Sequence, residues 1–169
     1  LDTGIDHTHD FFKGRVEPTG FNSSGSGKSN SSMDDVGHGT HVAGIIADCT
    51  TDNVLIKPYK VLGQDEGSSS AILAGVYKAI EDEVDVINMS LTCTSSISLS
   101  NALAEADEKG IVLVAGAGND GTDSTKKYPA SLDFVIAVSA ITEDNLISDF
   151  SNFGSHIDLA APGTNIYST

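Results

Sequence analysis

Residues 84–115, VDVINMSLTCTSSISLSNALAEADEKGIVLVA, decide the fold because two kinds of hydrophobic pattern alternate within them. The segments 84–91 and 111–115 are nearly continuous apolar runs, which predict strands that are buried on both faces. Between them, over 99–109, apolar residues recur at helical spacing, and Gly110 then ends the predicted helix. An amphipathic helix between two buried strands predicts parallel strands in an α/β protein.

The same alternation of helix and strand continues on both sides of this stretch. The further elements predicted are helices over 38–47 and 69–82 and strands over 54–62 and 134–140. Pro58 interrupts one of these strands and favours an irregular or edge position, and residues 20–32 predict a mobile surface loop. We therefore expect a doubly wound, mostly parallel sheet with helices on both faces. The chain opens on an apparent strand end and closes in mid-domain, so we expect this fold to be incomplete at both ends.

The composition is that of one compact domain, which we place at residues 1–169, with 39% hydrophobic residues. A formal net charge of −15 repels nucleic acid and anionic membranes, so we expect neither as a partner. No apolar run approaches the length of a membrane span. The two cysteines, Cys49 and Cys93, do not make a disulfide framework and are predicted to be small buried residues.

Three polar stretches lie where the predicted strands end or a helix begins. They are residues 2–6 (DTGID), 37–44 (GHGTHVAG) and 117–121 (AGNDG). In a doubly wound fold, ligands bind at the carboxyl ends of the strands, so these polar groups are expected to converge. Each motif alone is weak, since Asp-Thr-Gly is a common turn and a histidine at a helix start is usually a capping or surface residue.

Taken together, in this order and on this fold, the three motifs resemble the subtilisin-like serine peptidases, the subtilases. The resemblance extends to residues 86–91 (VINMSL), 128–130 (YPA), 150–154 (FSNFG) and 160–163 (AAPG), and so covers essentially the whole chain. It implies a serine endopeptidase in which Asp2 is the triad carboxylate, His38 the general base and Asn119 a donor to the oxyanion. We further expect the helix dipole to help keep His38 neutral.

The resemblance also implies a peptide or protein substrate, bound as an added strand between two segments of the enzyme. These segments are Gly67, Ser68 and Ser69 on one side and Ser90, Leu91 and Thr92 on the other. The walls of the pocket for the P1 side chain would be residues 90–92 and, opposite, Gly116, Ala117 and Gly118. Asp65 and Glu66 are expected to favour basic substrate side chains upstream of the cut.

Two departures from the family pattern change the expected site. A branched residue, Thr92, stands where the family has a glycine in the pocket wall, which predicts a narrower or reshaped pocket. The stretch 47–54 is shorter than in calcium-binding members, and Phe11 occupies the position of a ligand aspartate. We therefore expect neither a metal nor another cofactor, and a stability that responds little to chelator.

The nucleophile of the family lies in a Gly-Thr-Ser-Met-Ala segment beyond Ala-Pro-Gly, and no serine of this chain has that context. Residues 1–169 alone are therefore expected to be inactive, with the serine supplied by a missing C-terminal segment. That segment or a propeptide would be a partner. Secretion is the expected location, with a cytoplasmic protease as the alternative.

Other readings of the sequence lead to different classes of protein. A non-catalytic relative could keep the fold for binding. A nucleotide-binding protein is suggested by G-x-G-x-x-G at 116–121 and by GKS at 27–29, but no helix is predicted after the first and no strand before the second. His38 and His41 have the spacing of a helical metal pair, but no third ligand accompanies them.

Overall fold

A computed structural model describes residues 1–12, 14–25, 31–64, 67–123 and 127–169. The chain divides into two compact units, Leu1–Asp82 together with Ser168–Thr169, and Glu83–Tyr167. The single domain expected from the composition stays a prediction.

In the first unit, two helices accompany a small parallel sheet. Its elements are a 3-10 turn at Asp10–Phe12, β1 at Phe21–Asn22, α1 at His38–Cys49, β2 at Tyr59–Lys60 and α2 at Ser69–Glu81. Strands β1 and β2 pair in parallel, with Phe21 opposite Tyr59. Strand β2 is much shorter than the predicted 54–62. Pro58, just before it, has no N–H to donate and only accepts, through its carbonyl, from the N–H of Phe21 at 3.0 Å.

The small face of α1 lies in an apolar cluster of the first unit. The buried members of this cluster are Ile5, Phe12, Val16, Ala43, Ala47 and Ile56, and Ile46 packs against them. Because two of the helix residues in the cluster are alanines, the helix backbone can lie close to its neighbours. This packing fixes α1 relative to the start of the chain, where the first motif lies.

In the second unit, a four-stranded sheet carries one helix. Its elements are β3 at Val86–Met89, α3 at Ile97–Glu108, β4 at Val112–Gly116, β5 at Ile136–Ile141 and β6 at Leu159–Pro162. All three pairings are parallel, in the order β3-β4-β5-β6. Helix α3 packs on β4, and the four residues predicted to face inward are buried: Leu99, Ala102, Leu103 and Ala106. The predicted strand–helix–strand unit is therefore confirmed.

Two expectations from the sequence are wrong, and one strand is missing from the predicted elements. Residues 21–22, placed in a surface loop, form strand β1, whereas residues 26–30 of that loop lie outside the described part of the chain. Strand β6 was not predicted. Cys49 is exposed rather than buried, since it is the last residue of α1, and Cys93 is half-buried; both are free thiols. Among the described residues, no helix is both long enough and apolar enough to cross a membrane.

Candidate active site

The structure brings Asp2 and His38 into direct contact in the first unit. The backbone of Asp2 is held beside β2, where its N–H donates to the Tyr59 carbonyl at 3.1 Å and its carbonyl accepts from Val61 at 2.9 Å. Its side chain is buried, and Oδ1 lies 2.7 Å from Nδ1 of His38, the first residue of α1. Because a carboxylate only accepts, the proton of neutral His38 is on Nδ1, which leaves the lone pair on Nε2.

The start of α1 is capped by residues from elsewhere in the first unit. Its N-cap is Gly37, which has no side chain to bind the first N–H groups. The N–H of Gly39 instead donates to Oγ1 of Thr3 at 2.9 Å, and the N–H of Thr40 donates to Oδ2 of Asp34 at 2.8 Å. The same helix turn that carries His38 is thereby tied to the segment that carries Asp2.

Asp34 is the centre of this capping arrangement, and the sequence analysis did not predict a role for it. Within the described residues its carboxylate accepts five hydrogen bonds. The donors are Thr3 Oγ1, the N–H groups of Val36 and Gly37, and both the N–H and Oγ1 of Thr40. Burial opposes the charge of Asp34, but these hydrogen bonds outweigh it, so its pKa lies below the ordinary value.

Gly39 sets how closely α1 approaches the Asp2 segment. A Cβ built on Gly39 would overlap the carbonyl oxygen of Gly4 and would lie 3.2 Å from the side chain of Asp2. Any other residue at this position would therefore push the helix away. The close approach of helix and strand end depends on the missing side chain.

The hydrogen bond with Asp2 raises the pKa of His38 above 6.5, although partial burial acts in the opposite direction. The negative charges of Asp2 and, more weakly, Asp34 add to the increase. The sequence analysis expected the helix dipole to help keep His38 neutral, which would lower its pKa. The pKa of His38 is instead raised. The side chain of His38 is 52% exposed, against 11% for Asp2, so the imidazole is accessible while the carboxylate is not.

The oxygen Oδ2 of Asp2 is buried and has no hydrogen-bond partner among the described residues. Since Oδ1 already receives the N–H of Thr3 at 2.7 Å and the contact with His38, the two oxygens differ in environment. The carboxylate is therefore directed to the imidazole through one oxygen. Within the described residues, no group of three or more His, Cys, Asp or Glu side chains could hold a metal ion.

Asn119 lies in the second unit, in the loop of residues 117–122 that follows β4, here called the Asn119 loop. Its side chain is exposed and makes no hydrogen bond within the described part of the chain. Around it, Gly118 has a φ of 99°, a conformation that favours glycine. The buried side chain of Asn152, which the sequence analysis did not single out, contacts this loop.

The two predicted walls of the P1 pocket lie side by side in the second unit. Residues 90–92 follow β3 and residues 116–118 end and follow β4, and these strands are neighbours with Met89 opposite Ala115. The Cγ2 atom of Thr92 would lie 3.5 Å from a Cβ built on Gly118. The methyl group of Thr92 thus faces Gly118, and the narrowing of a P1 pocket by this methyl group stays a prediction.

The third predicted segment, residues 67–69, lies at the start of α2 in the first unit. Ser68 is the N-cap, with Oγ accepting from the N–H of Ala71 at 3.1 Å, and Ser69 is already helical. Ser69 therefore lies in the first turn of the helix, and the binding of an added strand along residues 67–69 stays a prediction. Asp65, Glu66 and the GKS at 27–29 lie outside the described residues. The expected convergence of Asn119 with Asp2 and His38, which belong to different units, stays a prediction.

Comparisons with known proteins agree on one family. The family model described as Subtilase family, Peptidase_S8, matches residues 1–169. Over 83% of its length the chain is 42% identical to the minor extracellular protease Epr of Bacillus subtilis (strain 168), of which it covers 23%. It is 38% identical over its whole length to the major intracellular serine protease of the same organism, of which it covers 58%.

A solved structure supports the same relationship. The crystal structure of a cold adapted subtilisin-like serine proteinase matches with a TM-score of 0.90 and 34% identity, over 99% of this chain and 62% of that one. The predicted subtilisin-like α/β fold is thereby confirmed. The chain spans less than two thirds of the length of each of these three proteins. It belongs to the subtilase family of peptidases.

Proposed function

We propose that this protein is a serine endopeptidase and that residues 1–169 are part of its catalytic domain. The observation that carries the proposal is the 2.7 Å contact between a buried carboxylate, Asp2, and an accessible imidazole, His38. A carboxylate in this position holds the imidazole in one tautomer and stabilises its protonated form. That is the arrangement required of a general base that accepts a proton and then returns it.

In the proposed reaction, a serine hydroxyl attacks the carbonyl carbon of the peptide bond and gives its proton to Nε2 of His38. As the C–N bond breaks, His38 returns the proton to the departing amine and an acyl ester remains. Water then repeats the sequence, with His38 as base, and releases the acid. Asp2 stays ionised and stabilises the imidazolium. The serine is proposed to lie in a Gly-Thr-Ser context, which residues 1–169 do not contain.

Asn119 is proposed to donate its side-chain amide to the oxyanion that forms in the transition state. Its exposed side chain, free of hydrogen bonds within the described residues, is available for a new acceptor. We also propose that the substrate is a peptide or protein, bound along residues 90–92 and 116–118 and along residues 67–69. Removal of a single oxyanion donor lowers kcat about 10²- to 10³-fold, a magnitude known from subtilisin itself.

The test uses the protein in its full natural length and a chromogenic peptide. Asn119→Ala should lower kcat about 10²- to 10³-fold with little change in KM, because the oxyanion interaction exists mainly in the transition state. Asn101→Ala, at an exposed position on α3, is the matched control and should retain the original kcat. An unchanged kcat in Asn119→Ala would remove Asn119 from the oxyanion role, whereas absence of any turnover by the full-length protein would indicate a non-catalytic relative.

A second measurement concerns residues 1–169 by themselves. We expect no turnover of the peptide by this fragment alone, since no serine in it has the required context, and recovery when the serine-bearing segment is added. Robust turnover by the fragment would show that the nucleophile has been misplaced.

We propose secretion as the location, with a cytoplasmic protease as the alternative. Extracellular and intracellular proteases both occur among the relatives, and the two free thiols would suit a reducing compartment. Fractionation of the producing cells, with activity measured in medium and lysate, separates the two.

A further inference from the structure

The side chain of Asn152 is fully buried, with 0% exposed, and uses its whole hydrogen-bonding capacity on the Asn119 loop. Its Oδ1 accepts from the N–H groups of Asp120 at 2.9 Å and Thr122 at 3.2 Å. Its Nδ2 donates to the carbonyl of Ala117 at 3.0 Å and to Oδ2 of Asp120 at 3.1 Å. An amide side chain has two donors and two acceptor positions, and all four are occupied.

The backbone around Asn152 also binds the Asn119 loop. The N–H of Asn152 donates to the carbonyl of Gly118 at 3.0 Å, and the N–H of Gly121 donates to the carbonyl of Phe150 at 2.9 Å. The two segments approach so closely that a Cβ on Gly118 would lie 2.5 Å from Nδ2 of Asn152. Glycine at this position, with its φ of 99°, is therefore required for the amide to reach the loop.

Within the described residues, Asn152 makes hydrogen bonds with Ala117, Gly118 and Asp120 but none with Asn119. The residues on both sides of Asn119 are therefore bound to Asn152. The position of the Asn119 side chain is therefore set by the backbone that Asn152 holds. We propose that Asn152 is a positioning residue for the oxyanion donor, acting through Asn119 without contacting the substrate. This inference rests on the proposed function of Asn119.

A positioning role differs from a purely structural one in what it changes. A group that only stabilises the fold alters the amount of folded protein, and its loss leaves the kcat of each remaining active site unchanged. A group that holds an oxyanion donor alters kcat itself, because displacement of a catalytic group by about 1 Å can lower the rate about 10²-fold. The effect must also vanish once the donor has been removed.

The test is a double-mutant cycle on the full-length protein, with kcat corrected for the active fraction by titration of the active sites. Asn152→Ala should lower kcat by about 10- to 100-fold with KM within about twofold. In the Asn119→Ala background, the same substitution should change kcat by less than about twofold, because the donor that it positions is absent. Ser148→Ala, which removes the hydrogen bond of a buried hydroxyl to Thr164 in the same unit, is the control and should leave kcat unchanged.

The outcomes separate the two proposals. An equal loss of kcat on Asn152→Ala in both backgrounds overturns the positioning role alone, whereas an unchanged kcat in Asn119→Ala overturns the oxyanion assignment as well. If Asn152→Ala does not fold, Asp120→Ala, which removes one acceptor of the Asn152 amide, goes through the same cycle. Its control is Lys127→Ala, since Lys127 pairs with Asp120 at 2.6 Å without contacting Asn152 in the described residues. If the losses of kcat in Asp120→Ala and Asn119→Ala are additive, the positioning role is overturned, and if they are coupled, it is supported.

Discussion

Replacement of Asp34 by alanine tests the capping arrangement at the start of α1. Two of its five hydrogen bonds come from Val36 and Gly37, where water can replace the carboxylate, because this turn is exposed. The other three come from Thr3 and Thr40, which are buried. At about 1.5 kcal/mol for each hydrogen bond to a charged group, we expect the free energy of unfolding to fall by about 4 to 5 kcal/mol.

Urea denaturation of Asp34→Ala and of the unaltered protein measures this loss. Asp52→Ala is the matched control, because Asp52 is exposed in the same unit and makes no hydrogen bond or ion pair within the described residues. The folded-state pKa of Asp34 is depressed, so its contribution is present above pH about 4 and is lost as the pH falls through that depressed pKa. A loss no larger than that of Asp52→Ala, or one independent of pH between 2 and 7, would refute the capping role.

Three further predictions concern single side chains. Asp2→Asn should lower the pKa of His38, which NMR titration of the imidazole measures, and an unchanged pKa would contradict the assigned hydrogen bond. In the unaltered protein, activity should fall as the pH drops through the raised pKa of His38, because the base is then protonated. Burial raises the pKa of Asp82, but hydrogen bonds, first from Lys78, outweigh it and lower the pKa to about 2. The contribution of Asp82 to stability is therefore present above pH 3.8 and is lost as the pH falls toward 2. Lys78→Ala should move the acid transition to higher pH, as followed by circular dichroism. Thr92→Gly should widen acceptance of bulky P1 side chains, and an unaltered peptide-library profile would count against the pocket wall.

The long periodic segments of the fold could be predicted from the sequence, and the short ones could not. Helix α3 and its flanking strands have a hydrophobic pattern of their own, so local sequence is sufficient. Strand β1 has only two residues, which exist as a strand because β2 lies beside them. Strand β6, LAAP, is exposed throughout and has no alternating pattern, so its pairing with β5 comes from tertiary contacts.

The candidate site shows the same division. Asp2, His38 and Asn119 lie in motifs whose order along the chain resembles a known family, so they could be singled out. Asp34 and Asn152 could not, because an aspartate or asparagine in a loop is usually a turn residue, and what distinguishes these two is the set of distant groups that they bind. Residues 150–154, FSNFG, belong to the family resemblance, but the sequence alone does not indicate which loop the side-chain amide of Asn152 binds.

Gly39 limits how this protein can diverge in sequence. The turn just before α1 contains exposed positions such as Val36, where many side chains can replace one another. At Gly39 even a single methyl group would act as a wedge between Gly4 and the helix, and would lengthen the contact between Asp2 and His38. In a library that randomises the start of α1 and is selected for a direct contact between Asp2 and His38, the exposed positions should therefore vary freely. Position 39 should return to glycine, the one residue that this position tolerates.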